Sequence, residues 1–144
     1  VSSCSKLSSL YCDQNWLTSL DVAPDCLVSL DCSQNMLGGT LDLAAFTKLE
    51  YLGCNNNMLE KLLLPPSVST LRCQTNNLSD LDITACSELM KDTDEDSFCV
   101  GKQRKNKVLT LHMTSQQNRY WLRTYSETEE NTNVTTDIRQ PNAL

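Results

Sequence analysis

Leucines in the first half of the chain recur at fixed positions around one cysteine and one asparagine. Each copy reads L-x-x-L-x-C-x-x-N-x-L, with valine in place of the first leucine in the last copy. The second leucine and the cysteine are two residues apart, which is the spacing of side chains on one face of a β-strand. The pattern therefore predicts four short strands whose leucine and cysteine point into a core. The copies are Leu7–Leu17, Leu27–Leu37, Leu49–Leu59 and Val68–Leu78.

The period of the repeat predicts how these strands are arranged. The cysteines lie at 12, 32, 54 and 73, so successive copies are 20, 22 and 19 residues apart. One such unit, called a rung below, cannot bury its own apolar face, whereas stacked units form a continuous core. We expect parallel strands in one curved sheet, each followed by a return leg of short extended or single-turn segments. A recurring L-D-[VLI] triplet marks the return leg at Leu20–Val22, Leu41–Leu43 and Leu81–Ile83.

The cysteine of each copy is predicted to be a buried free thiol that packs as a small apolar side chain. Zinc is the chemical alternative, but rungs about 4.8 Å apart would present these cysteines in a row and not as a tetrahedron. An even count of eight cysteines would fit disulfides in a small secreted protein, although four of them follow the repeat. The thiol state of the others stays open: Cys4, Cys26, Cys86 and Cys99.

The asparagine of each copy follows the strand by a few residues, where the chain must bend sharply. Such a bend leaves backbone N–H and C=O groups near the core without strand partners, which is costly. An amide side chain both donates and accepts hydrogen bonds, so an inward asparagine can satisfy its own turn and the adjacent one. We expect this role for the four asparagines of the repeat, Asn15, Asn35, Asn57 and Asn76.

Taken together, these copies resemble the leucine-rich-repeat family, over about residues 4–90. Residues 1–90 are accordingly predicted to form the leucine-rich repeats. They are most similar to the short, cysteine-containing repeats of internalin-like surface proteins from Bacteroidetes-type bacteria. The resemblance implies an α/β, mainly β fold: a solenoid with a parallel concave sheet, short irregular or extended convex segments and a C-terminal cap. It also implies a secreted or cell-surface location.

Beyond residue 90 the repeat pattern stops. Residues 91–107 are rich in charge, and Asp92, Asp94 and Asp96 alternate as at the start of a calcium loop. The glycine and the distal glutamate of such a loop are missing, so a solvated loop with a short strand near Cys99 is the prediction, while calcium binding stays open. Residues 108–138 are predicted to form a strand, helix and strand that cap the repeats in the same domain, and residues 139–144 a tail.

The predicted cap has an internal pattern of its own. Residues 108–114 alternate as a strand, residues 115–125 read as a helix capped by Thr114 or Ser115, and residues 134–138 as a last strand. We expect Trp121, Leu122 and Tyr125 on the apolar side of the helix. His112 falls on the outward side of the first strand and is expected to be exposed.

Charge and hydropathy exclude several classes of partner. The net charge is −6, and residues 1–90 hold 4 Lys and Arg against 10 Asp and Glu. A nucleic-acid surface needs clustered positive charge, so we expect no nucleic-acid partner. No apolar run approaches the roughly 20 residues of a membrane-spanning helix, so we expect no membrane insertion by this chain. The chain opens directly into repeat-like sequence, so export cannot be read from its start.

No catalytic constellation, glycine-rich phosphate loop or cofactor site is visible in the sequence. We therefore expect no enzyme activity and no cofactor, but a monomeric recognition module that binds a protein or glycan through its concave sheet. The alternative is a recognition arm of a larger enzyme or effector whose catalytic part lies outside this chain. The predicted binding residues are those flanking the inward leucines and cysteines: Tyr11, Asp13, Asp31, Ser33, Tyr51, Asn55, Arg72 and Gln74.

Overall fold

The structure is a computed structural model, and it describes residues 6–24, 26–91, 94–125 and 131–140. These residues form a mainly β structure with short parallel strands and one short α-helix. The strands are β1 (Ser9–Tyr11), β2 (Ser29–Asp31), β3 (Gly38–Asp42), β4 (Tyr51–Gly53), β5 (Met58–Leu63), β6 (Thr70–Arg72), β7 (Asp80–Asp82), β8 (Phe98–Cys99), β9 (Leu109–Met113) and β10 (Val134–Ile138). The helix α1 is Ser115–Tyr120.

The largest sheet contains the strands predicted from the four sequence copies, plus one more. Its order is β1-β2-β4-β6-β8, and every neighbouring pair is parallel. The register aligns the second leucine of each copy with that of the next, from Leu10 through Leu30 and Leu52 to Leu71. Equal register across unequal sequence spacings shows that the return legs absorb the difference in length.

The return legs contribute two smaller parallel sheets. Strands β3 and β5 pair with each other, and β7 pairs with β9, which pairs in turn with β10. The L-D-[VLI] triplets at Leu41–Leu43 and Leu81–Ile83 begin in β3 and β7. Extended return segments were predicted, but their pairing into sheets was not.

The core lies between the large sheet and the return strands. Leu30, Leu52 and Leu71 are fully buried, and so are Cys32 and Cys54. Burial raises the pKa of the Cys32 thiol to about 12, so this group stays protonated at neutral pH. The seven cysteines in the described residues carry free thiols. Burial of the repeated cysteine is confirmed for Cys32, Cys54 and Cys73, but the expectation was wrong for Cys12, which is only half-buried on the first rung.

Three of the four repeated asparagines satisfy the backbone of two rungs at once, as predicted. The prediction was wrong for Asn15 on the first rung, which is exposed and, among the described residues, donates only to the carbonyl oxygens of Cys12 and Asp13 in its own turn. The amide nitrogen of Asn57 donates to the carbonyl oxygens of Cys54 in its own rung (3.1 Å) and Cys32 in the preceding rung (3.0 Å). Its Oδ1 accepts the N–H of Leu37 at 3.0 Å. Asn35 and Asn76 make the equivalent bonds at 2.9 to 3.1 Å. These amides therefore connect the rungs through the core side of each turn.

The residue before each repeated asparagine has a left-handed backbone. These residues are Gln14, Gln34, Asn56 and Thr75, with φ between 53° and 59°. A side chain other than glycine in this region costs about 1–2 kcal/mol, so the turn is held there by the bonds of the asparagine that follows.

A fifth rung follows the four seen in the sequence. Phe98 aligns with Leu71, Val100 therefore takes the place of a repeated cysteine, and Lys102 has the same left-handed backbone at φ 49°. Gln103 replaces the asparagine: its Nε2 donates to the carbonyl oxygens of Val100 (2.7 Å) and Cys73 (3.2 Å). Its Oε1 accepts the N–H of Leu78 at 3.0 Å. The short strand predicted near Cys99 is thus present as β8, but its place as one more strand of the large sheet was not predicted.

The strands and helix predicted beyond residue 107 are present as β9, α1 and β10. Thr114 caps α1 by accepting from the N–H of Gln117 at 3.2 Å, and the Gln117 side chain accepts from the N–H of Thr114 at 2.8 Å. After α1, residues Trp121–Tyr125 form a π-helical turn, which shifts the side chains relative to an α-helix. Trp121 and Tyr125 are buried as expected, but the expectation for Leu122 was wrong, because this turn leaves it 64% exposed.

Candidate functional site

The outer face of the large sheet presents two columns of side chains beside the inward leucines. The strand register aligns the members of each column on successive rungs. One column runs Ser9, Ser29, Tyr51 and Thr70, and the other runs Tyr11, Asp31, Gly53 and Arg72.

Asp31 lies at the centre of this face: its carbonyl oxygen accepts the N–H of Cys12 in the preceding rung at 2.8 Å, and its carboxylate lies against the next rung. A Cβ atom placed on Gly53 would lie 3.0 Å from the Asp31 carboxyl carbon, so this carboxylate occupies the space that the glycine leaves open. Gly53 has no side chain, but it leaves no dip for a ligand group because the Asp31 carboxylate fills the space. The hydroxyl of Tyr51 donates to Asp31 Oδ2 at 3.4 Å, and the N–H of Ser33 donates to Oδ1 at 3.0 Å.

The two tyrosines of this face differ in exposure. Tyr11 is 65% exposed, and its hydroxyl is hydrogen-bonded to Ser29 Oγ at 3.2 Å. Tyr51 is half-buried. Burial and the nearby Asp31 carboxylate raise the pKa of Tyr51, so its hydroxyl is a neutral hydrogen-bond donor at neutral pH. Both rings therefore offer apolar area beside one anionic group.

Arg72 adjoins Gly53 in the register but is directed to the next rung. Its Nε donates to the carbonyl oxygen of Asp96 at 2.9 Å, and its Nη2 lies 3.8 Å from the Asp96 carboxylate. The guanidinium is thus on the flank of the face, and the centre is formed by Tyr11, Asp31 and Tyr51.

The remaining predicted site residues lie where the strands end. They form a third column, which runs Asp13, Ser33, Asn55 and Gln74. Backbone hydrogen bonds hold its rungs together, because the residue after Ser33 donates its N–H to Asn55 O at 2.9 Å and the residue after Asn55 donates its N–H to Gln74 O at 3.0 Å. Asp13, Asn55 and Gln74 are half-buried. Ser33 is only 6% exposed because the chain turns in under Asp31, so the expectation of an outward Ser33 was wrong.

A second polar cluster, absent from the sequence-based site, surrounds His112 on the β7-β9-β10 sheet. His112 is 6% exposed, which contradicts the expectation that it lies open to solvent. Its Nε2 is hydrogen-bonded to Asp80, and its Nδ1 lies 2.7 Å from Asp137 Oδ2. Arg139 completes the cluster by donating to Asp137 at 3.2 Å and to Asp82 at 2.9 Å. The carboxylates that cover the imidazole ring come from β7 and β10, the strands on either side of β9. The alternation of residues along β9 alone does not reveal these neighbours.

The charges of this cluster support each other. Burial lowers the pKa of His112, but the hydrogen bonds with Asp80 and Asp137 outweigh that effect and hold the pKa above its ordinary value. Hydrogen bonds from His112 and Arg139 lower the pKa of Asp137. The arrangement favours an imidazolium between two carboxylates, which stabilises the sheet and leaves no free basic nitrogen for proton abstraction.

Metal-ligating and membrane features can be stated for the described part of the chain. No group of three or more His, Cys, Asp and Glu residues there is placed to hold a metal ion. Asp92 of the possible calcium loop lies outside the described residues, and Asp94 accepts the N–H of Asp96 at 3.0 Å as a turn cap. No helix in the described ranges is long and apolar enough to cross a membrane.

Comparison with known proteins does not add a family to this picture. No protein-family model, no curated protein and no solved structure matches the chain.

Proposed function

We propose that the chain is a leucine-rich-repeat solenoid that acts as a non-enzymatic recognition module, with the large sheet as its concave face and residues 108–138 as its cap. In this proposal it belongs to a secreted or cell-surface protein and binds a protein or glycan as a monomer. The observation that carries the proposal is the grouping of Tyr11, Asp31 and Tyr51 on three successive rungs.

The chemistry of this group suits recognition better than catalysis. Exposed aromatic side chains dominate binding hot spots, and the tyrosines add hydroxyl groups to their apolar area. Asp31 supplies a carboxylate that the bonds of Tyr51 and Ser33 hold in position. Such a surface fits a ligand with an apolar face and donor groups, such as a sugar ring or a peptide side chain with N–H or O–H groups.

The first test is a binding screen against extracellular-matrix proteins and a glycan array, repeated with variants for any ligand found. Tyr51→Ala should weaken binding by about 2 kcal/mol or more, or about 30-fold. Tyr51→Phe keeps the ring and removes the bond to Asp31, so it separates ring contact from carboxylate positioning. Lys61→Ala, an exposed position on β5, is the matched control and should leave affinity unchanged. A ligand lost in Lys61→Ala and retained in Tyr51→Ala would move the site to the other face.

A further inference from the structure

Three large apolar side chains are exposed at the same position of consecutive rungs. Trp16, Met36 and Met58 each stand between the repeated asparagine and the final leucine of their copy. They are 85%, 41% and 37% exposed. We call this row the Trp–Met stripe. It lies at the turn from the large sheet to the return leg and contains none of the residues of the proposed concave site.

The backbone makes these three residues neighbours and keeps them directed outward. The N–H of Met36 donates to Leu17 O at 2.9 Å, and the N–H of Met58 donates to Leu37 O at 2.8 Å. Leu17 and Leu37 are the residues that directly follow Trp16 and Met36, so consecutive members of the stripe lie on bonded rungs. The stripe is thus a continuous apolar row and not a set of scattered surface side chains.

The stripe ends at a basic cluster on the fifth rung. Arg104 Nε donates to the carbonyl oxygen of Asn57, the residue before Met58, at 2.8 Å. Lys107 Nζ donates to the carbonyl oxygen of Asn77, which takes the position of Met58 in the next rung, at 3.1 Å. Arg104, Lys105 and Lys107 are exposed, and no acidic side chain in the described residues pairs with them.

We propose that the Trp–Met stripe and this cluster dock an amphipathic helix of a partner protein that carries acidic residues at one end. Rungs recur about every 4.8 Å, and helical side chains three or four residues apart recur at about 5–6 Å, so apolar residues at i, i+4 and i+7 match three rungs. The flexible thioether side chains of Met36 and Met58 can adapt to such a face, as at other helix-binding surfaces, and the indole of Trp16 adds a large apolar area. Acidic residues beyond the apolar row would then meet Arg104, Lys105 and Lys107.

An anionic membrane is the other surface with apolar and acidic character, and the charges favour the helix. The basic cluster is local, whereas the whole chain carries a net charge of −6 and is repelled by an extended anionic surface. One end of a helix carries only a few carboxylates, and these would contact only the basic cluster and not the acidic remainder of the chain.

The test uses a fluorescein-labelled helical peptide with leucines at i, i+4 and i+7 and a run of glutamates after them. Anisotropy gives the affinity, and tryptophan emission reports where the peptide lies. Trp16 is exposed and Trp121 is 3% exposed, so covering the stripe should shift the emission to shorter wavelength. Trp16→Phe should abolish this shift. A peptide with lysines in place of the glutamates and one with alanines in place of the leucines are the ligand controls.

We expect Met58→Glu to weaken peptide binding at least 10-fold and Lys105→Glu to weaken it about 3-fold or more. Tyr51→Ala should leave it unchanged, so failure here and failure of the concave site are distinguishable. Circular dichroism melts verify that each variant is folded. Equal binding of the lysine peptide, or no binding of the glutamate peptide, would overturn the proposal. Binding to phosphatidylserine vesicles without peptide binding would also overturn it, in favour of a membrane surface. A concentration-dependent dimer that Trp16→Ala abolishes would overturn it in favour of a second copy of the chain.

Discussion

One buried amide in each rung after the first bonds backbone groups that the turn itself leaves without partners. Asn57 donates to two carbonyl oxygens and accepts one N–H, and these three groups belong to two rungs. Gln103 has one more methylene and still makes the same set of bonds in the fifth rung. The requirement is therefore for a donor and an acceptor on one side chain, and not for asparagine as such.

At this scale we predict that Asn57→Ala destabilises the protein by about 1–3 kcal/mol, because buried carbonyl and N–H groups lose their partner. Asn55→Ala is the matched control, since Asn55 is half-buried and lies two residues away in the same turn. Urea unfolding of the two variants measures the difference. A loss of equal size in both would show that the amide bonds of Asn57 are not the cause.

A structural role can be predicted from the sequence where the same residue type performs it in every copy. It cannot be predicted where a different residue type performs it. The inward leucines, cysteines and asparagines were predictable because four copies occur in phase. The fifth rung was missed because Phe98, Val100 and Gln103 replace leucine, cysteine and asparagine, and a charged segment separates them from the fourth copy. The role of His112 was missed because its partners Asp80 and Asp137 lie on strands that no pattern along β9 reveals.

The β7-β9-β10 sheet is held together by a row of alternating charges as well as by its backbone. His112 on β9 lies between Asp80 on β7 and Asp137 on β10, and Arg139 links Asp137 to Asp82 of β7. The last strand is therefore attached to two others through ionisable groups, and its attachment depends on pH.

We predict that stability from this sheet is greatest between about pH 4 and 6.5. The pKa of His112 is raised on folding, so its contribution is complete below about pH 6.5 and is lost as pH rises through the folded pKa. The pKa of Asp137 is lowered, so its contribution is present above about pH 4 and is lost as pH falls through the folded pKa. Urea midpoints measured across this range check the profile. His112→Gln should flatten the decline on the alkaline side, and a wild-type midpoint that rises from pH 6 to 8 contradicts the assignment.

At the scale of the molecule, the described residues share one continuous core, which aromatic side chains complete beside the fifth rung. The ring of Phe98 on β8 meets Trp121 and Tyr125 edge to face, with centroids 6.0 and 5.7 Å apart. Asn131 then bonds the backbone of this rung, accepting the N–H of Val100 at 2.8 Å and donating to Phe98 O at 3.0 Å. Residues far apart in sequence thus cover the apolar face that the fifth rung would otherwise expose.

We predict that Tyr125→Ala lowers the free energy of unfolding by about 3–5 kcal/mol, because it opens a cavity against Phe98 and removes the hydroxyl bonded to Ser97 at 3.0 Å. Leu122→Ala, in the same π-helical turn but exposed, should change it by less than about 0.5 kcal/mol. Thermal melts of both variants measure the contrast, and a larger loss for Leu122→Ala would place the wrong side of this turn in the core.

Residues equivalent to the repeated cysteine lie 20, 22, 19 and 27 positions apart, and yet consecutive strands of the large sheet stay in register. Hydrogen bonds between the strands and the amide of each turn set the distance between neighbouring strands. This distance does not depend on the number of residues that connect the strands. A gene that gains or loses residues in these connections therefore leaves the outer face unchanged. A gene that gains or loses a whole copy lengthens or shortens that face by one fixed step, so the breadth of the face can evolve separately from the side chains on it.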